Sequence, residues 1–427
     1  MMLAPFFTDS PLLPWRLRNG FRQWLETRCR TAQPALYRWL HFGRAGDGLV
    51  PVTSGPKHHF FGYYDKSPWN ASGRVMLAHE ADFNDRPPRA DDSVTIGLVR
   101  LDEGHRFEPL ATTRTWNWQQ GAMLQWHPAN PEHQFVHNDC REGQHVGVVR
   151  AVDGRELRVY DRPIYAISPG GRQAFSLNFA RLQTHRPGYG YAGASDPWAD
   201  EPAPEDDGIH AVDLETGTSR LIVSTGALAR MAPKESMRGA FHYINHIQVN
   251  PNGTRLAFFH IWRTGGATWE VRLYTCDPDG GRLNCLLDTG RVSHYDWQGD
   301  HRILVWAHQS GLGDRFLLCD EQSPDVQVFG EGRLTEDGHC TFSPDRKWVL
   351  NDTYPDEFGM RTLMLVRFRD QKRIDLARLY SPKARWWGEI RCDLHPRWSR
   401  DGRSVCVDSV HDGTRQMYVM DVARWTR

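Results

Sequence analysis

The sequence has little of several features that would define other classes of protein. Its 427 residues include only 8 cysteines, which are widely spaced and form no C-x-x-C pair. This excludes a disulfide-rich scaffold, and reduced thiols are expected. Lys plus Arg and Asp plus Glu each total 52, so no net charge attracts nucleic acid, and we expect no nucleic-acid partner. Mean hydropathy is −0.60, and no apolar run approaches the roughly 20 residues that cross a bilayer.

Targeting and catalytic signatures are also missing. Residues 1–30 lack a charged segment followed by an uninterrupted apolar stretch and a small-residue cleavage site, so we expect a cytoplasmic location. The sequence has no H-E-x-x-H, no G-x-S-x-G nucleophile elbow, no G-x-x-x-x-G-K-[ST] phosphate loop and no credible G-x-G-x-x-G. Serine-hydrolase and nucleotide chemistry are therefore not indicated.

Two residue types are abundant instead, with 20 histidines and 17 tryptophans in the chain. Both counts exceed those of an average globular protein. Histidine suggests metal or proton chemistry, and tryptophan suggests ligands with flat faces such as sugars.

A turn signature rich in Pro, Asn, Asp and Gly recurs along the chain, each time before a strand of alternating β-branched and aromatic residues. This is hairpin chemistry, and its period is close to that of four-stranded propeller blades with two long insertions. The seven copies begin at Ser67, His127, Ser168, Asn250, Trp297, Ser343 and Ser399. The pattern predicts an all-β fold, a seven-bladed β-propeller over residues 49–427, with ring closure by a strand near residues 49–53.

Residues 1–48 have a different composition, in which apolar residues such as Trp15 and Phe21 alternate with arginines such as Arg16 and Arg22. This predicts a short basic amphipathic helical extension. Two interpretations remain open: the helix contacts a membrane surface, or it packs across one face of the propeller.

Three histidines share one position in the repeat. His246, His339 and His395 each lie four residues before a turn, where a propeller strand lines the central channel. Cys340 and Cys392 are close to them in sequence. Imidazole and thiolate are ligands that Zn²⁺ selects, so these five residues predict a zinc site, structural rather than catalytic. Alternatively, these histidines hydrogen-bond backbone groups inside the blades.

Several longer segments resemble propeller polysaccharide lyases, in particular the seven-bladed ulvan lyases, with oligogalacturonate lyases as more distant relatives. The segments are HHFFGYYDKSPW from His58, GAMLQWHP from Gly121, RPGYGYAG from Arg186, NDTYPD from Asn351 and CDLHPRWSRDG from Cys392. The resemblance extends over almost the whole predicted propeller. It implies cleavage of a uronate polymer by β-elimination, and a structural zinc.

The resemblance also implies site residues. Two histidines near the second blade correspond to His127 and His145, and the family tyrosine corresponds to Tyr189 or Tyr191. The family arginine that should follow is missing, because residues 192–211 contain no Lys or Arg, and His210 is the nearest substitute. In a blade turn His127 is alternatively a surface residue, and the two tyrosines alternatively cover the channel mouth.

The expected ligand is an anionic oligosaccharide or polysaccharide, because aromatic rings bury sugar faces while Arg or His neutralises carboxylates. The candidate substrate-binding residues are His58, His59, Tyr64, Arg186 and His210. The residues at the start of the first blade alternatively only close the ring. Three functions are compatible with the sequence: a lyase acting on a uronate-containing glycan, a cytoplasmic enzyme of polysaccharide biosynthesis on the lyase fold, or a propeller that binds glycan or protein without catalysis.

Overall fold

The computed structural model describes residues 48–263 and 269–426 of the chain. Within these ranges 28 strands form seven four-stranded sheets whose strand pairs are antiparallel. The prediction of an all-β, seven-bladed propeller is confirmed. The predicted helical extension lies outside the described residues, apart from Gly48.

The first three blades follow chain order. Blade 1 contains β2 (His58–Phe60), β3 (Val75–Ala81), β4 (Val94–Arg100) and β5 (Arg106–Thr113). Blade 2 contains β6 (Gln125–Trp126), β7 (Gln134–Arg141), β8 (Gln144–Ala151) and β9 (Glu156–Tyr160). Blade 3 contains β10 (Ala166–Ile167), β11 (Gln173–Ser176), β12 (Gly208–Asp213) and β13 (Ser219–Ser224).

The next three blades repeat this order. Blade 4 contains β14 (Phe241–Val249), β15 (Leu256–Arg263), β16 (Trp269–Cys276) and β17 (Asn284–Gly290). Blade 5 contains β18 (Val292–Trp297), β19 (Arg302–Gln309), β20 (Gly313–Asp320) and β21 (Val326–Phe329). Blade 6 contains β22 (Thr341–Phe342), β23 (Trp348–Asn351), β24 (Met360–Arg367) and β25 (Arg373–Tyr380).

Blade 7 joins the two ends of the described chain. It contains β26 (Arg397–Trp398), β27 (Ser404–Ser409) and β28 (Gln416–Asp421), and its outermost strand is β1 (Leu49–Pro51). Leu49 pairs with Met420 and Pro51 with Tyr418. The first strand therefore closes the ring, as the sequence predicted.

The repeated turns connect the innermost strand of a blade to the second. In blade 4 the Asn250 amide donates to the Arg255 carbonyl at 2.9 Å, and the Asn250 side chain accepts from the Thr254 and Arg255 amides. Such local bonds satisfy the turn backbone without a partner from elsewhere in the chain. The equivalent bond closes a turn in every blade, with starts at Asn70, His127, Ser168, Asn250, Gln298, Ser343 and Ser399. Five of the seven predicted starts are confirmed, and those of blades 1 and 5 are displaced from Ser67 and Trp297.

The middle strands of the blades are buried on both faces. Met76, Leu77 and Ala78 of β3 are consecutive and fully buried. Each blade packs face to face against its two neighbours, so apolar side chains are needed on both sides of the sheet.

Two insertions lie at the end of blades 3 and 4 where the innermost strands begin. They contain α1 (Phe179–His185) and α2 (Thr225–Arg230), followed by a short 3₁₀ turn at Glu235–Met237. Asn178 caps α1 by accepting from the Arg181 amide, and the Arg181 guanidinium donates to the His242 carbonyl at 2.6 Å. A second 3₁₀ turn, Gly388–Ile390, precedes blade 7, and α3 (Ala423–Thr426) follows β28. None of the described helices has the length and apolar character needed to cross a lipid bilayer.

Candidate functional site

Four consecutive blades place a histidine at the channel, and we call His246, His294, His339 and His395 the histidine cluster. The ring centroids of His294 and His339 are 4.0 Å apart, and those of His339 and His395 are 4.4 Å apart. His246 is 6.3 Å from His294. The four residues occupy one position of the repeat, so blade symmetry brings them to the same depth of the channel.

The cluster includes one histidine that counting from the predicted turns did not place in register. The turn of blade 5 begins at Gln298, whose amide donates to the Arg302 carbonyl, and not at Trp297. His294 then lies four residues before its turn, like the other three. The sequence contained this signal, but the shorter turn of blade 5 displaced the count by one residue.

In His339 and His395 one ring nitrogen is hydrogen-bonded to the described part of the chain and the other is not. His339 Nδ1 lies 2.9 Å from an oxygen of the buried Asp352 carboxylate, and His395 Nδ1 donates to the Gly62 carbonyl at 2.9 Å. The opposite nitrogens, Nε2 of His339 and of His395, are buried and have no hydrogen-bond partner among the described residues. Unpartnered buried nitrogens oriented by second hydrogen bonds are typical of metal ligands.

A third donor completes a group that can hold a metal ion. Ligand atoms of His339, Asp393 and His395 lie within 4.8 Å of one another, and all three residues are buried. Burial lowers the pKa of His395 well below its ordinary value, so this imidazole is neutral near pH 7 and able to ligate. Two imidazoles and a carboxylate suit several divalent metals.

The two cysteines of the predicted zinc site do not reach this group. Cys340 packs in an apolar cluster between blades 5 and 6, where its thiol donates to the Leu304 carbonyl. Cys392 packs with Trp386 and Val410. Burial raises the pKa of Cys392 to about 11 and that of Cys340 well above its usual value, so both thiols are protonated. Both thiols therefore lie in the apolar core and not at the channel.

Two arginines surround the carboxylate of the group. Arg391 Nε donates to Asp393 at 2.6 Å, and Arg361 lies 2.7 Å from the other Asp393 oxygen. Burial alone would raise the pKa of Asp393, but the two guanidinium charges hold it well below its usual range. Asp393 is therefore ionised, and it pairs with both guanidinium groups.

Tyrosines from separate parts of the chain meet the cluster. Tyr189 accepts a hydrogen bond from Arg391 Nη2 at 2.6 Å, and its ring lies 5.7 Å from that of His246. The Tyr63 hydroxyl is hydrogen-bonded to His246 Nε2, and the Tyr354 ring lies 5.8 Å from that of His339. Burial raises the pKa of Tyr63 and of Tyr354 well above the usual value, so both phenols are protonated.

A cavity of about 460 Å³ opens beside the histidine cluster, and its wall includes Tyr189, His246, His294, Tyr354 and Arg186. Its volume is that of a small-ligand pocket. A second cavity of about 440 Å³ lies at the turn end of the channel, and none of the described histidines lines it. Tyr64 lines the second cavity, and its ring contacts those of His294, His339 and His395. Of the two cavities, only the first has residues of the histidine cluster in its wall.

The two histidines expected near blade 2 lie at opposite ends of it. The His127 amide is bonded to Gln134 at the start of β7, whereas His145 pairs with Cys140 near the end of that strand. Six strand residues separate these points by about 20 Å. His145 contacts Tyr191, with ring centroids 5.5 Å apart. The structure thus brings His145 and Tyr191 together and leaves His127 apart.

Tyr191 and Tyr189 have different surroundings although they are two residues apart. The Tyr191 ring stacks on Phe179 at 4.3 Å, and its hydroxyl accepts from Asn138. Burial raises the pKa of Tyr191 far above its usual value. Of the two, Tyr189 lines the cavity beside the histidine cluster, and Tyr191 belongs to the core.

Three predicted substrate-binding histidines lie away from the cavity. His58 Nδ1 accepts from the Asn84 amide group, and His59 is hydrogen-bonded to both Gln416 and Glu80. The bond to Gln416 joins blade 1 to blade 7. His210 lies in β12 opposite Ser176, and burial lowers its pKa to about 4. Arg186, in contrast, lines the cavity, and Arg391, which the sequence did not single out, contacts Tyr189.

The fold and this site define a seven-bladed propeller protein with a candidate divalent-metal group at one end of its channel. No protein-family model matches the sequence, and no curated protein matches it significantly. Solved structures do share the fold. Oligogalacturonate lyase from Vibrio parahaemolyticus is 12% identical, with a TM-score of 0.61 over 88% of this chain and 93% of that chain.

Two further structures are similar. An oligogalacturonate lyase in complex with manganese is 14% identical, with a TM-score of 0.61 over 88% of this chain and 94% of that chain. A puromycin-hydrolysing peptidase from Mycobacterium tuberculosis is 12% identical, with a TM-score of 0.51 over 90% of this chain and 55% of that chain. At these identities the likeness establishes the fold alone.

Proposed function

We propose that this protein is a metal-dependent carbon–oxygen lyase that cleaves a uronate-containing glycan by β-elimination. The observation that carries the proposal is the metal-binding group His339, Asp393 and His395, which Arg391 connects to Tyr189 at the wall of the cavity. The propeller shared with oligogalacturonate lyases, one of them in complex with manganese, supports it. The likeness to ulvan lyases stays a prediction.

The reaction needs a base, an acid and a positive charge. A base removes the proton from C5 of the uronate, the C4–O bond breaks, and a C4=C5 double bond forms. The departing sugar oxygen takes up a proton, so no water or oxidant is consumed. Because the C5 proton becomes acidic only when the neighbouring carboxylate is neutralised, positive charge beside that carboxylate lowers the barrier.

The residues in the cavity wall and directly beside it suit these roles. A divalent cation on His339, Asp393 and His395 would supply positive charge for the carboxylate. Arg391 adds a second positive charge beside Tyr189. Burial keeps the pKa of His246 well below its usual value, and His246 Nδ1 has no hydrogen-bond partner among the described residues. We therefore assign the base to His246 and the acid to Tyr189.

This assignment differs in part from the one that the resemblance implies. His127 lies about 20 Å from His145 along blade 2, and neither lines the cavity beside the cluster. Tyr191 is buried against Phe179. Of the four residues taken from the resemblance, only Tyr189 keeps its catalytic role in this proposal.

The identity of the metal is also part of the proposal. We propose zinc, because imidazole and carboxylate are ligands that zinc selects. We assign it a role in substrate binding instead of a purely structural one, because Arg391 connects the ligand Asp393 to Tyr189 at the cavity. Manganese is the alternative outcome, and metal analysis of protein purified without a histidine tag distinguishes them. Less than half an equivalent of any divalent metal after purification and reloading would contradict the site. The cytoplasmic location and the membrane-surface contact of residues 1–48 stay predictions.

The test is formation of unsaturated uronate, followed at 235 nm on polygalacturonate and other uronate polymers. Tyr189→Phe and His246→Ala should each lose about 10²- to 10⁴-fold in kcat/KM. His127→Ala, His145→Ala and Tyr191→Phe serve as controls and should retain activity in proportion to their folded fraction. Absence of product from every polymer with metal-loaded wild type would refute the lyase and favour a glycan-binding propeller. Loss confined to the three controls would place the reaction centre elsewhere.

A further inference from the structure

The cavity extends well beyond the residues that the proposed reaction uses. Its inner end is formed by Tyr189, His246 and His294, and its outer end by Trp269, Trp306 and His308. The outer residues belong to β16 and β19, so the cavity is a groove that runs from the channel outward between blades 4 and 5. A single sugar unit at the reaction centre would leave the outer half empty.

One wall of the groove carries a positive charge that no carboxylate neutralises. Arg186 forms no ion pair in the described part of the chain. Its guanidinium instead lies 4.2 Å from the Trp269 ring centroid and 5.3 Å from that of Tyr189. The other arginine of the groove, Arg291, is 2.9 Å from Asp314. Arg186 is therefore the cation available to a ligand.

Trp269 adds the second component of a sugar site. Its side chain is 42% exposed, which is unusual for a tryptophan. An exposed indole ring in a groove offers a flat apolar face to a sugar ring. Stacking on Trp269 also restricts the Arg186 side chain, so less entropy is lost when it binds a carboxylate.

We propose that Arg186 and Trp269 bind an additional anionic sugar unit, next to the pair whose linkage is broken. The substrate is then an oligosaccharide of at least three units, with a carboxylate on the unit that reaches Arg186. This inference rests on the proposed function, which determines the direction in which the sugar chain lies in the groove. The binding contact itself needs no catalysis, so it is measured separately.

The experiment is calorimetric titration with digalacturonate and hexagalacturonate, in EDTA so that no elimination occurs. Wild type should bind the hexamer at least 10-fold more tightly than the dimer. Arg186→Gln should weaken hexamer binding by about 10- to 100-fold, since a charged hydrogen bond is lost, and leave dimer binding within about 2-fold. Trp269→Ala should act similarly, while Trp269→Phe should retain most of the affinity.

A matched control separates this contact from a general effect of removing an arginine. Arg424 also stacks on a tryptophan, with its guanidinium 3.8 Å from the Trp425 ring centroid, but it lies in α3 and not in the groove. Arg424→Gln should leave both affinities unchanged. Maltohexaose, a neutral oligosaccharide, should bind wild type and Arg186→Gln equally weakly.

Other results overturn the inference. They are equal affinity of wild type for dimer and hexamer, no binding of either, or an equal loss for both ligands in Arg186→Gln. Tighter binding of the hexamer without any product at 235 nm would refute the proposed lyase activity but support the sugar site at Arg186 and Trp269. Product formation with equal affinity for dimer and hexamer would refute the sugar site but support the proposed lyase activity.

Discussion

Replacement of Asp352 by asparagine should weaken metal binding while leaving the fold intact. The Asp352 carboxylate is fully buried and accepts from both the His339 amide, at 2.7 Å, and the His339 ring. Asparagine has the same shape but no charge. It can still accept from the amide, and the imidazole loses the negative partner that makes Nε2 a stronger donor to a metal.

The size of the effect follows from the distance across the ring. The carboxylate and an ion on Nε2 would lie about 7 Å apart. At an effective dielectric constant of about 20, a single negative and a double positive charge attract by ~5 kcal/mol. This is an upper bound, because the asparagine dipole and nearby Asp393 retain part of the field. We expect a 10- to 100-fold loss of affinity, equivalent to ~1.4–2.7 kcal/mol.

The assay is competition with a chromophoric chelator for zinc and for manganese, with thermal unfolding of the apo protein as a check of the fold. Asp337→Asn is the matched control. Asp337 pairs with His294 Nδ1 at 3.0 Å in the neighbouring blade, but His294 is not part of the three-residue group. Unchanged affinity in Asp352→Asn would contradict the metal site, and an equal loss in Asp337→Asn would contradict its composition.

Two further predictions concern stability and the position of Tyr189. Burial lowers the pKa of His79 to about 3, and its Nε2 accepts from the Ala122 amide. In the unfolded chain the same imidazole takes up a proton near pH 6.5. The contribution of His79 to the free energy of unfolding should therefore fall by about 1.4 kcal/mol per pH unit below pH 6.5. Urea denaturation at pH 7 and pH 5 should show a smaller fall for His79→Gln, and equal falls would contradict the assignment. In Gly190→Ala the new Cβ would overlap the backbone nitrogen of Gln183 in α1. The free energy of unfolding should fall by about 1–3 kcal/mol. Because the overlap displaces the neighbouring Tyr189, kcat/KM should fall as well. Gly170→Ala, which meets no atom within 4 Å, should alter neither the thermal midpoint nor activity, and a similar loss there would refute the steric reason.

The blade count and the channel position of three histidines could be predicted from the sequence because both depend on local chain geometry. A turn such as Asn250 to Arg255 is closed by bonds within six residues, so the same residues mark it wherever it occurs. Counting back four residues along an innermost strand then reaches the channel. His246, His339 and His395 were found in this way, and His294 was displaced by one residue because its turn is shorter.

The positions of the neighbouring cysteines could not be predicted in the same way. His339 and Cys340 precede β22, in a segment without regular strand geometry, so closeness in sequence did not show where the thiol lies. Cys340 packs in the apolar cluster between blades 5 and 6.

The remaining parts of the site were decided only by the tertiary structure. Arg391 and Tyr189 are 202 residues apart and meet at 2.6 Å, because ring closure brings the loop before blade 7 beside the insertion of blade 3. No local pattern marks such a contact, since its partners depend on the angle between blades that are not neighbours in the chain. The sequence alone determined which strands form and which residues face the channel, and the closed ring determined which of those residues act together.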